Sequence, residues 1–173
     1  MNECFRKAVI DSGPLFDALV LNYDLRRAGL GRPSRYASRI EAPQKLAWQR
    51  AFLARLASIP EKLTTSHATV ELFHLEKARL NLYEPDLSYS WRTSVDLLTQ
   101  WRIDEQLVRL LDLASDESLR LCLPEIGVTD TGLIELAARH GCVLITRDER
   151  TLAREAYARQ VQCRLVRQLL PII

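Results

Sequence analysis

Val143-Leu-Ile-Thr-Arg-Asp-Glu-Arg-Thr-Leu-Ala153 is the stretch on which the reading of the fold turns. Four apolar or β-branched residues run without a break into four charged ones. So short an apolar run, with no polar alternation, suits a strand buried on both faces, the habit of parallel sheets. It predicts a strand over Cys142–Thr146 and a helix over Glu149–Arg159. The charges between them admit two explanations. Thr146-Arg-Asp-Glu149 matches a capping box, in which hydroxyl and carboxylate satisfy the free N–H groups of a helix start. Alternatively, Asp148 is presented to a metal ion.

Working outward, Asp130–His140 has helical periodicity and is closed by Gly141, the usual residue just past a C-cap. Lys7–Asp11 and Lys62–Ser66 read as short strands, as do Ser118–Leu123, stopped by Pro124, and Val161–Val166. Helices are expected over Leu15–Tyr23, with Pro14 in the first turn, and over Ala42–Ile59, Ala68–Leu82 and Trp91–Ala114. The last is long enough to be one helix or two. Asp24–Ile40 is polar, carries Gly29, Gly31 and Pro33, and reads as a loop. Strands alternating with amphipathic helices predict an α/β fold with a small central parallel sheet and helices on both faces. A single domain over 1–173 accounts for the length, with an Arg-rich loop and an extra helix at about 24–60.

The bulk numbers exclude several classes. The chain has 173 residues, 47% hydrophobic and 27% charged, which argues against disorder, collagen and coiled coil. No apolar run nears the roughly 18 residues that span a bilayer, and Met1–Val9 lacks the apolar core of a signal peptide. Cys4, Cys122, Cys142 and Cys163 show no C-x-x-C spacing and read as reduced thiols of a cytoplasmic protein. A net charge of +2 is too mild to imply nucleic acid by itself.

Three aspartates occupy comparable places. Asp11 ends the first strand, Asp130 opens a helix, and Asp148 follows a strand by two residues. In a parallel sheet all three fall on the edge where α/β proteins keep their sites, although aspartate at a helix start also serves as a cap. Glu71 lies within the helix Ala68–Leu82, with Ala68, Leu75, Ala78 and Leu82 as its angular neighbours. A carboxylate there is costly unless it is paired or coordinated. Glu76 lies nearer Thr69 and Arg79 and is expected to be solvated. Four clustered carboxylates repel one another unless a cation sits among them. All-oxygen ligation selects Mg²⁺ or Mn²⁺, which suits phosphoryl chemistry. Ser12 and Thr146 are placed to hydrogen-bond the acids.

These segments resemble PIN-domain ribonucleases. Val9-Ile-Asp11-Ser-Gly is similar to their first strand, and Ser66-His-Ala-Thr-Val-Glu71-Leu to their glutamate segment. Val128-Thr-Asp130-Thr-Gly-Leu-Ile-Glu-Leu-Ala137 followed by Gly141-Cys-Val-Leu-Ile-Thr146-Arg-Asp148-Glu-Arg-Thr-Leu152 resembles their C-terminal signature. The resemblance implies a PIN-like three-layer fold and a Mg²⁺- or Mn²⁺-dependent endoribonuclease. Asp11, Glu71, Asp130 and Asp148 would form the acidic quartet, with Thr146 and Ser12 supporting it. It also implies, as family associations, an antitoxin partner and a homodimer. The 60 positions from Asp11 to Glu71 exceed the spacing in compact toxin members, so a housekeeping nuclease is equally open.

Within the extra stretch, Arg26, Arg27, Arg32, Arg35, Tyr36 and Arg39 form an acid-free cluster suited to RNA, through bidentate phosphate contacts and a stacked ring. Arg147 and Arg150 are expected to face solvent or pair with Glu149 or Glu155. Trp48, Trp91 and Trp101 read as core or interface residues. Two other classes compete with the nuclease: a non-catalytic PIN-fold module that binds RNA or protein, and a phosphotransfer enzyme. The latter would want a second aspartate at position 13, where this chain has Gly13.

Overall fold

A computed structural model of the chain describes residues 5–31, 46–80, 82 and 85–169. Five strands form one sheet: β1 (Lys7–Ile10), β2 (Glu61–Thr65), β3 (Ile103–Gln106), β4 (Val143–Thr146) and β5 (Cys163–Leu165). Their order is β3-β2-β1-β4-β5, and every pair is parallel. The helices are α1 (Ser12–Gly29), α2 (Leu46–Ala57), α3 (Ser66–Leu80), α4 (Asp86–Gln100), α5 (Leu110–Ser115), α6 (Glu117–His140) and α7 (Leu152–Ala158).

Strands β1 and β4 are short and mostly apolar because both faces are covered. Ala8, Ile10, Val143 and Ile145 point into one core with residues of α1 to α4. Val9, Leu63 and Leu144 point into a second with residues of α5, α6 and α7. This is the expected three-layer α/β arrangement, with a parallel sheet between helical layers.

Three elements differ from the sequence expectation. The stretch Ser118–Leu123 is helical and belongs to α6, not to a strand. Leu119, Leu121 and Leu123 alternate like a strand, but Leu119 and Cys122 are the buried pair and Leu121 is 66% exposed. The Asp116 carboxylate starts the helix by accepting from the backbone N–H groups of Ser118 and Leu119 at 2.9 and 3.1 Å. Pro124 does not end it; a break comes at Gly127, whose φ of 83° suits glycine.

The helix expected over Trp91–Ala114 is interrupted by β3. Helix α4 stops at Trp101, Arg102 adopts a left-handed φ of 51°, and Ile103–Gln106 pairs with β2. The sequence Ile-Asp-Glu-Gln is polar because this strand lies at the sheet margin, where charge discourages further pairing.

Helix α1 runs on through residues expected to be loop, from Asp24 to Gly29. Asp24 and Arg27 in this stretch are buried. Arg27 donates to the Tyr23 hydroxyl at 3.2 Å and lies 3.6 Å from Asp86. Downstream, α2 supplies the extra helix expected before β2. Among the described residues no helix is long and apolar enough to cross a membrane.

Candidate functional site

Strand order reverses at β1: the chain moves to β2 and β3 on one side, and β4 and β5 lie on the other. In open parallel sheets such a reversal leaves a crevice at the carboxyl ends of the strands. Asp11 stands there, directly after β1. Its backbone N–H donates to the carbonyl of Ile145 in β4 at 3.0 Å, so the first carboxylate is fixed to the strand that leads to Asp148.

The Asp11 side chain is tied from two sides. Thr146 donates its hydroxyl to Oδ2 at 2.7 Å, and Ser12 donates to Oδ1 at 3.1 Å. The Ser12 hydroxyl lies equally close to Glu71 Oε2, at 3.1 Å. A hydroxyl has one proton, so the two carboxylates share a single donor. Burial pushes the Asp11 carboxyl up from its ordinary value, against the lowering effect of Thr146, Ser12 and the N–H groups of Gly13 and Ser12.

Asp130 enters from α6, three residues past the Gly127 break. The Thr131 hydroxyl donates to the Gly127 carbonyl at 2.7 Å, holding the restarted helix to that break. Burial, followed by the charges of Asp11, Glu71 and Asp148, pushes the Asp130 carboxyl up to about 7. The other three predicted acids therefore all act on Asp130, although the four come from separate places in the chain.

Asp148 plays a role that the sequence had divided among its neighbours. Its Oδ1 accepts from the N–H groups of Arg150 and Thr151 at 2.9 and 3.0 Å. Its Oδ2 accepts from the Thr151 hydroxyl and from the Leu152 N–H. Burial opposes ionisation, but these bonds outweigh it and hold the carboxyl below its ordinary value. The expected capping box is replaced accordingly: Thr146 bonds Asp11 and the Asp148 N–H, and Glu149 pairs with Arg167.

The two glutamates of α3 exchange the burial expected of them. The row Ala68, Leu72, Glu76, Leu80 faces the core, while Glu71 is only half-buried at the crevice. Glu76 is 1% exposed. Its Oε1 accepts from the hydroxyls of Ser90 and Ser94 in α4, both at 2.7 Å. Oε2 has no hydrogen-bond partner, and burial pushes this carboxyl up.

The proposed RNA cluster is divided. Arg26 pairs with Asp96 at 3.0 Å, and the Arg27 guanidinium is buried against Tyr23 and Asp86. Both lie on α1 rather than in a loop. Arg32, Arg35, Tyr36 and Arg39 fall outside the described residues. Trp101 is core, whereas Trp91 is 39% exposed and meets Phe73 edge to face. Arg147 pairs with Asp17, a residue that the sequence reading passed over.

The donor chemistry at the crevice is all oxygen and strongly anionic, which fits Mg²⁺ or Mn²⁺ and fits softer metals poorly. Among the described residues no three His, Cys, Asp or Glu side chains already stand as a ready metal-binding group. Asp11, Glu71 and Asp148 are near enough to raise the proton affinity of Asp130, Ser12 bridges Asp11 and Glu71, and Asp148 is engaged by the N–H groups of its own turn. No family model matches the chain, and no curated protein matches its sequence.

Proposed function

We propose that the chain is a PIN-type, Mg²⁺- or Mn²⁺-dependent endoribonuclease that hydrolyses RNA phosphodiester bonds. The observation that carries this reading is geometric: the Ser12 hydroxyl lies 3.1 Å from both Asp11 Oδ1 and Glu71 Oε2 at the strand ends, beside an Asp130 carboxyl that burial and then the charges of Asp11, Glu71 and Asp148 push up. A site that concentrates carboxylates against their own repulsion gains most from a divalent cation.

Asp11, Glu71 and Asp130 would hold the ion, with Asp148 adding charge while it caps the turn. A cation bound there supplies charge neutralisation and an acidified water for in-line attack on a phosphodiester. Thr146 and Ser12 orient Asp11 through its two oxygens, and Ser12 keeps Glu71 turned toward it. RNA as substrate, an antitoxin partner and a homodimer rest on the sequence resemblance, and cytoplasmic location on the cysteine pattern.

The test is cleavage of a labelled single-stranded RNA with Mg²⁺ or Mn²⁺. Cleavage should leave 5′-phosphate ends, stop with EDTA and be lost in Asp11→Asn. Cleavage that persists unchanged in Asp11→Asn and in EDTA would remove this mechanism.

A second reading is a non-catalytic PIN-fold module that binds RNA or protein. It is favoured by the four hydrogen bonds that occupy Asp148. RNA bound without turnover under both metals would support it instead.

A further inference from the structure

Arg147 lies between Thr146 and Asp148, yet its side chain leaves the turn and crosses to α1. It runs over Gly13 and ends at Asp17, with Nη1 2.7 Å from Oδ1. Positions 13 and 17 are one helical turn apart and share a face. The fit over Gly13 is tight. A β-carbon at that position would stand 2.8 Å from Arg147 Nε and 3.1 Å from its Cγ, so any side chain there must push the arginine aside. The side chains of Arg147 and Asp17 are only 17% and 6% exposed. A pair so withdrawn from water is strongly unfavourable to break from one side, because the remaining charge loses its opposite while still held out of water.

The pair spans the two turns that carry the first and last acids of the crevice. Thr146 already joins β4 to Asp11. The next residue, Arg147, joins the same turn to the helix that Asp11 precedes, and the residue after it is Asp148. We propose that Gly13, Asp17 and Arg147 form a positioning clamp that sets the separation of Asp11 from Asp148, and through it the divalent-cation affinity of the crevice. The inference rests on the metal reading above. Asp17 and Arg147 are positioning residues: they act through the turns they join and are not counted among the ion's ligands.

The test is Mn²⁺ binding, followed by the loss of the free-ion electron paramagnetic resonance signal, in wild type, Gly13→Ala, Arg147→Met, Arg147→Lys and the charge-free pair Asp17→Asn/Arg147→Met. Thermal unfolding in EDTA is recorded for each, so that stability and affinity are read separately. The clamp predicts that Gly13→Ala and Arg147→Met weaken Mn²⁺ binding by about tenfold or more, with Arg147→Lys recovering part of the loss. The double variant removes both charges of the pair together and carries the test if a single variant fails to fold. Wild-type affinity in the folded Gly13→Ala and double variants would overturn the clamp. Absence of Mn²⁺ binding in wild type itself would instead overturn the metal reading, and the clamp's role with it.

Discussion

Two carboxylate sites on α3 are built from the same parts and differ in their neighbours. Glu71 and Glu76 are five residues apart, and each accepts from serine hydroxyls. Glu76 is sealed under α4 with Ser90 and Ser94 as its donors. Glu71 sits at the crevice and shares Ser12 with a second carboxylate. At Glu76 burial is the cause that favours the protonated acid. At the crevice, burial of Asp130 is joined by the charges of Asp11, Glu71 and Asp148. The first arrangement pins two helices together. The second stores electrostatic repulsion that a bound cation would relieve.

The largest stability effect is expected from Glu76→Ala. It removes two hydrogen bonds and strands two buried hydroxyls, at a cost of about 3 kcal/mol. In a chain of this size the melting temperature should fall by roughly 6–12 °C. Glu76→Gln keeps the acceptor for both serines and should melt near wild type. An equally severe loss in Glu76→Gln would mean that the charge, not the acceptor, holds α4.

Asp130→Asn should act in the opposite direction. The folded carboxyl titrates near 7 and the unfolded one near 3.9. The folded state therefore binds more protons between those values. The associated stabilisation is fully present below about pH 4 and is lost as pH rises through about 7. In EDTA at pH 8, Asp130→Asn should be more stable than wild type by about 2 kcal/mol, roughly half of what the two values give in full, because water screens the partly exposed carboxyl, and the difference should vanish near pH 4. Parallel stability curves for the two proteins from pH 4 to 8 would show that neither burial nor the neighbouring acids shift Asp130.

Asp148→Ala should give the smallest change, a loss of about 1 kcal/mol from the missing cap. Asp148→Asn retains one acceptor oxygen and should lose less. Urea unfolding in EDTA separates the two. If Asp148→Ala proved neutral, the cap seen at Arg150, Thr151 and Leu152 would be incidental.

Much of this architecture was legible in the sequence, for physical reasons that also explain the failures. Strands β1, β2 and β4 were readable because burial on both faces demands continuous apolar or β-branched runs. Strand β3 was not, because a polar sheet margin carries no such demand. The Leu119, Leu121, Leu123 alternation imitated a strand, and only the Asp116 cap and the burial of Cys122 show it to be a helix. Asp11 and Asp148 could be picked out because each follows a strand; Asp130 was expected after a strand at Ser118–Leu123, but that stretch is helix and Asp130 follows the Gly127 break within α6. The burial of Glu76 was missed because the stripe was drawn through Leu75 and Ala78 rather than along the row from Ala68 to Leu80. The Asp17–Arg147 pair joins positions 130 residues apart, and no local pattern announces it.

The most direct test of the account is the melting temperature at pH 8 in EDTA and in excess Mn²⁺, for wild type and Asp11→Asn. At a hundred times its dissociation constant, a ligand that binds only the folded state adds about 2.7 kcal/mol, or roughly 5–11 °C here. Wild type should show such a rise, it should shrink at pH 5 where Asp130 is protonated, and Asp11→Asn should show little at either pH. A wild-type melting temperature that is the same in EDTA and in Mn²⁺ at pH 8 would contradict the claim that these four carboxylates form a cation site.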